Sequence, residues 1–303
     1  MLIRVGYEMA FDIPTPVPML LMLAMRPERA PSVRRPGGLR VEPEVPVETF
    51  MDGFGNICSR IVAPAGRLRL WDDAIVEDDG HHDVQDFAAA QQPVEELPPD
   101  VLPFLLGSRY CEVDQLTEVA WSLFGATPPG WARVQAICDW VHSNIRFGYE
   151  HARTTKSAYE TLAERAGVCR DFNHLALTFC RCMNIPARYA TGYLGDIGVP
   201  PSPCPMDFSG WFEAYLGGRW YTFDARHNVP RIGRVLMGYG RDAVDVALTT
   251  SFGMTKLVSF TVWTSEASEQ DLFEPQGHHV PRFMGSHVPE HAETGLIAAG
   301  LYR

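Results

Sequence analysis

Apolar and polar positions alternate through the first hundred residues. Leu2, Arg4, Gly6 and Glu8 interleave with Ile3, Val5, Tyr7 and Met9, and Arg67-Leu68-Arg69-Leu70-Trp71 repeats the period of two, which predicts strands. Asp52-Gly53 and Gly55-Asn56 supply turn chemistry between the strand-like stretches at 47–50 and 57–62, a hairpin signal. The apolar run 19–25 is too short to cross a bilayer. It follows Glu8, Asp12 and three prolines rather than a basic segment, so it reads as a buried strand and not as a signal peptide. Pro93, Pro98, Pro99 and Pro103 then break the alternation. The expectation is an N-terminal antiparallel β-sandwich over residues 1–100.

Beyond that boundary the period changes to that of helices. One is predicted over 112–124, and Pro128-Pro129-Gly130 separates it from a second carrying Trp131, Val134, Ile137, Cys138, Val141 and Ile145 on one face. A third begins at Ser157, where Ser157 and Glu160 have capping-box spacing, and ends near Gly167, which is expected to let the chain turn sharply. Phe172, Leu175, Ala176, Phe179 and Met183 predict a fourth over 169–184, stopped by Asn184 and Pro186. Alternation returns at 188–193, 211–216 and 220–224, with Gly217-Gly218 as a hairpin turn, and a last strand at 256–263 is expected to close this sheet. Helices followed by strands indicate an α+β domain over 101–264. The remainder, 265–303, is rich in Glu, Gln, Gly, Pro and His and is expected to be poorly ordered.

Composition narrows the function. The chain has 303 residues, 46% of them hydrophobic, and a formal net charge of -11 from 37 acidic and 26 basic residues, with no basic block. Nucleic acid and anionic membranes are therefore not expected partners. Seven cysteines without regular spacing suit a reducing compartment, and a cytoplasmic protein is expected. His278, His279, His287 and His291 lack metal-ligand spacing. No metal or cofactor is expected, since no phosphate loop or cofactor fingerprint stands out.

Cys169 is the candidate nucleophile. It opens the fourth helix in Gly167-Val168-Cys169-Arg170-Asp171, where N–H groups and the helix dipole would favour the thiolate and lower the thiol pKa. Its own N–H is the candidate oxyanion donor. Cys58, Cys111, Cys138, Cys180 and Cys182 read as buried apolar residues, and Cys204, between prolines, is left open. Asp171 suits the first turn of the helix, and His174 points away from Cys169 by about 140° at the helical 100° per residue, a structural position. Trp211, Tyr215 and Trp220 are candidates for a substrate groove, Trp211 foremost, although strand aromatics usually serve the core.

The order Gly-Val-Cys-Arg-Asp-Phe-x-His-Leu, then 184–189 with Gly192-Tyr193, then Trp211-Phe212-Glu213-Ala214-Tyr215, then 219–225 resembles the bacterial transglutaminase-like superfamily across roughly residues 110–255. The resemblance implies a papain-like helix-plus-antiparallel-sheet core. It also implies a Cys-His-Asp triad attacking a carboxamide carbon to give a thioester, released to water or an amine, with a peptide or protein substrate. Cys169 matches the nucleophile and Asp224 the aspartate. The family's histidine precedes the matching tryptophan by two residues, and here Ser209 stands in that place. Serine cannot act as a base near neutral pH. His227, three residues beyond Asp224, is the candidate replacement base, provided the chain turns immediately after Ala225. Two readings follow: a cysteine amidase or peptidase acting on carboxamide or isopeptide bonds through Cys169, or a catalytically impaired member of the fold serving as a binding scaffold.

Overall fold

The N-terminal alternation builds two antiparallel sheets. The computed structural model describes residues 1–202 and 206–273. Its first strands are β1 (Leu2–Ile13), β2 (Val17–Leu21), β3 (Val33–Arg35), β4 (Arg40–Glu42), β5 (Glu48–Met51), β6 (Ile57–Ala63) and β7 (Gly66–Glu77). β5 and β6 form the expected hairpin, with Met51 opposite Ile57, and β1 pairs with β7 from Leu2 opposite Glu77 to Ile13 opposite Gly66. Because side chains alternate across a strand, Ile3, Val5, Tyr7, Met9, Phe11 and Ile13 share one face of β1 and are all buried. They pack against Met19, Leu21, Ile61 and Ala63 of the facing sheet.

Next come α1 (Val113–Phe124), α2 (Trp131–Asn144), β8 (Arg146–Phe147), α3 (Ala158–Glu164), β9 (Ala166–Gly167) and α4 (Cys169–Cys182). α3 opens on the expected capping box, with the Ser157 hydroxyl accepting the Glu160 N–H at 3.4 Å and the Glu160 carboxylate accepting the Ser157 N–H at 2.9 Å. The reversal after α3 is made at Arg165, whose φ is 55°, and not at Gly167. Gly167 instead permits close approach, since a Cβ there would lie 2.6 Å from the Cβ of Asp171.

β10 (Ala187–Tyr193), β11 (Ser209–Leu216), β12 (Arg219–Phe223) and β13 (Val235–Gly240) form an antiparallel sheet in the order β12-β11-β10-β13, and α4 packs on it. Gly217 and Gly218, at φ 56° and 87°, make the β11–β12 turn that few other residues tolerate. Every residue of α4 after Cys169 is buried, so the helix is interior on all sides. Its charged side chains find partners: Arg170 pairs with Asp171 at 2.8 Å, and Arg181 donates to the Ala187 carbonyl at 3.0 Å and the Ser108 hydroxyl at 3.1 Å.

The last strands correct one expectation. β14 (Thr249–Ser251) pairs with β2, and β15 (Lys256–Ala267) pairs with β1 rather than with the α4-packed sheet. β7 satisfies only one edge of β1, and the other edge would leave a row of unpaired N–H and C=O groups without β15. Residues 265–267 continue β15 opposite Leu2, Ile3 and Arg4, so order extends past position 265. Cys204, His278, His279, His287 and His291 lie outside the described residues. No helix among the described residues is long and apolar enough to cross a membrane.

Candidate active site

Cys169 begins α4, and the turn before it is pinned from inside. The Asp171 carboxylate accepts the Val168 N–H at 3.0 Å while holding Arg170. Asn173, one helical turn beyond Cys169, donates to the Cys169 carbonyl and to the Gly210 carbonyl, each at 2.9 Å, and accepts the Ala225 N–H at 3.1 Å. One buried amide thus ties the nucleophile's turn to the start of β11 and to the chain leaving β12. Asn173 was not singled out from the sequence; the available signal was a polar residue at i+4 from Cys169 amid apolar positions.

Asp224 follows β12, and the chain does turn after Ala225. Asp224 Oδ1 accepts the N–H groups of Arg226 at 3.0 Å and His227 at 3.2 Å, and the Asn228 N–H, with Asn228 at φ 53°, donates to the Asp224 carbonyl at 2.7 Å. This places His227 Nδ1 2.8 Å from Asp224 Oδ2, which also lies 3.3 Å from Arg234 Nη2. Burial pushes the Asp224 carboxyl up, but His227 and Arg234 outweigh it and hold the group well below the usual carboxylate range. An ionised Asp224 accepts, so Nδ1 carries the proton and Nε2 keeps its lone pair. That lone pair meets the Arg226 guanidinium, which lies 4.1 Å over the Phe147 ring. The His227 side chain is 22% exposed and Asp224 2%.

The electrostatics of Cys169 differ from expectation. Burial pushes its thiol up to about 11; the Arg226 charge and the Gly210 N–H work against that, and the Asp207 and Asp224 carboxylates add to it. Desolvation of the thiolate therefore outweighs the Arg226 charge and the Gly210 N–H. Cys169 is still the one described cysteine that is not buried, and Cys58, Cys111, Cys138, Cys180 and Cys182 all are.

Ser209 is the first residue of β11, 9% exposed, with its carbonyl accepting from the Thr191 hydroxyl at 3.1 Å. Trp211 is 2% exposed beneath the Arg234 guanidinium, 5.0 Å from its ring centroid, and presents almost no surface to solvent. Tyr215 and Trp220 pack with Leu97 and Val101. His174 is fully buried, stacked on Tyr110 and accepting the Ala243 N–H at 3.1 Å, which matches a structural role.

The family model of the transglutaminase-like superfamily matches residues 119–225, which include Cys169 and Asp224. An uncharacterised Mycobacterium leprae protein is 32% identical over 117 residues, 38% of this chain and 42% of that protein's length. An uncharacterised Mycobacterium tuberculosis protein is 30% identical over 219 residues, 65% of this chain and 69% of its own. A crystal structure from Cytophaga hutchinsonii, named "putative cysteine protease", superposes with a TM-score of 0.76 at 31% identity, covering 88% of this chain and 90% of that one. With the helix-borne cysteine, the antiparallel sheet behind it and the aspartate that follows β12, the chain belongs to the transglutaminase-like superfamily.

Proposed function

We propose that this protein is a cysteine amidase or peptidase that cleaves a carboxamide or isopeptide bond through a thioester at Cys169, with His227 as base and Asp224 as its orienting group. The observation that carries this reading is the 2.8 Å contact between His227 Nδ1 and Asp224 Oδ2, which fixes the tautomer a base requires. When Arg226 withdraws, His227 Nε2 takes the Cys169 proton, and the thiolate attacks the carboxamide carbon. The Cys169 N–H then faces the developing oxyanion. A thioester remains after the amine departs, and water resolves it; transfer to a second amine would use the same intermediate. The Cytophaga hutchinsonii relative's name supports a protein or peptide substrate. The buried thiols suit a reducing compartment, in keeping with a cytoplasmic setting.

The test is amine release from a set of peptide carboxamides and isopeptides. Cys169→Ser is expected to abolish it, and His227→Ala to lower it about 10²- to 10⁴-fold, the usual worth of a positioned base. Full activity in His227→Ala with none in Cys169→Ser would move the base elsewhere. Undiminished turnover in Cys169→Ser would remove thioester chemistry, whereas no turnover in the native chain would leave the scaffold reading that Ser209 motivates.

A further inference from the structure

The chain leaving Asp224 carries three arginines, Arg226, Arg231 and Arg234, and two of them have carboxylates. Arg234 lies 3.0 Å from Asp83 and 3.3 Å from Asp224, and Arg231 lies 3.8 Å from Asp196. Arg226 pairs with no carboxylate among the described residues. Its guanidinium instead donates to the His227 Nε2 lone pair and lies 4.1 Å over the Phe147 ring. The backbone beneath that side chain is fixed: Asp224 Oδ1 accepts the Arg226 N–H at 3.0 Å, and His142 Nδ1 lies 2.9 Å from the Arg226 carbonyl oxygen. Asn173 ties the same turn to the nucleophile, accepting the Ala225 N–H at 3.1 Å and donating to the Cys169 carbonyl at 2.9 Å. A half-buried cation is thus placed beside the base with only a ring nitrogen and an aromatic face to hold it.

A carboxylate displaces a neutral imidazole from a guanidinium, because the planar fork gives it two parallel charge-assisted hydrogen bonds and gives a ring nitrogen only one. The bond that would be given up is the one that occupies the lone pair a base needs. We propose that Arg226 determines the specificity of this site by recognising a carboxylate on the substrate beside the scissile carboxamide, and that this exchange uncovers His227 Nε2. The proposal rests on the roles given above to Cys169 and His227. The anion is supplied by an acidic side chain next to the cleaved residue or by a free peptide C-terminus, which offer Arg226 the same group. A neutral substrate has no such differential affinity and leaves Arg226 on His227.

No proton moves in the exchange itself. Arg226 stays charged on either partner, and His227 keeps its Nδ1 proton on Asp224. The freed Nε2 then takes the Cys169 proton as the thioester forms. The His227 side chain is 22% exposed and Arg226 is half-buried, so an anion from solvent reaches both.

Two paired probes on the full chain test this. Iodoacetate and iodoacetamide alkylate Cys169 with and without a carboxylate, and their rate ratio, divided by that of free cysteine, is expected to be about tenfold or more in the native chain. Arg226→Met, which keeps an apolar stem over Phe147, should bring it to within about twofold of unity, and Arg226→Lys, with charge but no fork, should fall between. The second pair sets a peptide carboxamide carrying Glu beside the cleaved residue against its Gln counterpart, each with a free and an amidated C-terminus. The native chain should cleave at least one carboxylate-bearing form about tenfold faster in kcat/KM than the uncharged peptide, and which form it prefers identifies the source of the anion. Arg226→Met should lose that preference while cleaving the uncharged peptide faster than the native chain does. A native alkylation ratio near unity, a ratio that survives Arg226→Met, or equal losses on charged and uncharged peptides would each overturn the assignment. The expected alkylation ratios without cleavage of any peptide would support carboxylate recognition by Arg226 and overturn the amidase reading beneath it.

Discussion

Gly210 shows how one absent side chain shapes the site. A Cβ at that position would lie 2.1 Å from the Tyr189 hydroxyl oxygen and 2.9 Å from its Cζ, so even an alanine requires this tyrosine to shift. Gly210→Ala is expected to cost about 1–3 kcal/mol of stability, read from the urea midpoint, with Tyr189→Phe in the same chain recovering part of it. Full stability in Gly210→Ala would mean that Tyr189 moves freely. Asp207 gives a second prediction, of opposite sign. Its folded pKa is raised, so the stability it allows is complete below the unfolded carboxylate range of about 4 and is lost as pH rises toward the folded value. Asp207→Asn should therefore melt progressively higher than the native chain as pH is raised from 4 to 8, and an unchanged difference across that range would mean that Asp207 is not desolvated. The sequence made Cys169, Asp224 and His227 legible because motif order and spacing are local. Asn173, Asp207 and the Arg226–His227 contact were not, because each matters through a partner the chain reaches only after folding.

At the scale of elements, the site hangs on the turn after β12 and on what braces it. Arg234 links Asp224 to Asp83, with its Nε 3.0 Å from Asp83 Oδ2, and that same oxygen accepts the Arg231 N–H at 2.9 Å. Asp83 belongs to the segment following β7, so the N-terminal part of the chain holds the aspartate of the core. Removing one partner of a buried pair leaves the other uncompensated, and Asp83→Ala is expected to destabilise by about 3–5 kcal/mol. Adding Arg234→Met should recover much of that; no recovery would mean that the loss comes from the Arg231 contact instead. Asp224 itself titrates below the ordinary carboxylate range, so its contribution is full above about pH 4 and lost as pH falls further. In denaturant melts, Asp224→Asn should flatten the acid limb of stability, and an unchanged limb would refute the pairing. Helices and hairpins followed the periodicity closely, because apolar spacing and paired glycines act within a few residues. The complete burial of α4 did not, since Arg170, Asn173 and Arg181 find partners on other elements and give a polar pattern to an interior helix.

At the scale of the whole molecule, local pattern located β14 and β15 poorly in space. A strand's alternation reveals that it is a strand but not which edge it completes, and β15 joins β1 across nearly the full length of the chain. One apolar cluster accordingly combines Tyr7, Phe11 and Leu70 with Tyr193, Phe208, Val235 and Met237. The segment after β7 also straps the helices, with the Trp131 N–H donating to the Ala89 carbonyl at 2.9 Å and Gln91 donating to the Met183 carbonyl at 2.8 Å. A chain of residues 101–264 would lose this strap together with the sheet covering Tyr193 and Phe208. Their exposed aromatic surface would favour a loosely packed state, since burying each large side chain contributes about 1.5–3 kcal/mol. The full chain is therefore expected to melt in one cooperative transition, and residues 101–264 alone to melt broadly, bind a hydrophobic dye and alkylate at Cys138 and Cys180 as fast as at Cys169. A sharp melt of the shorter chain with Cys138 and Cys180 protected would show that the core carries its own stability, and that β1, β2 and β7 serve the Asp83–Arg234 brace rather than the fold.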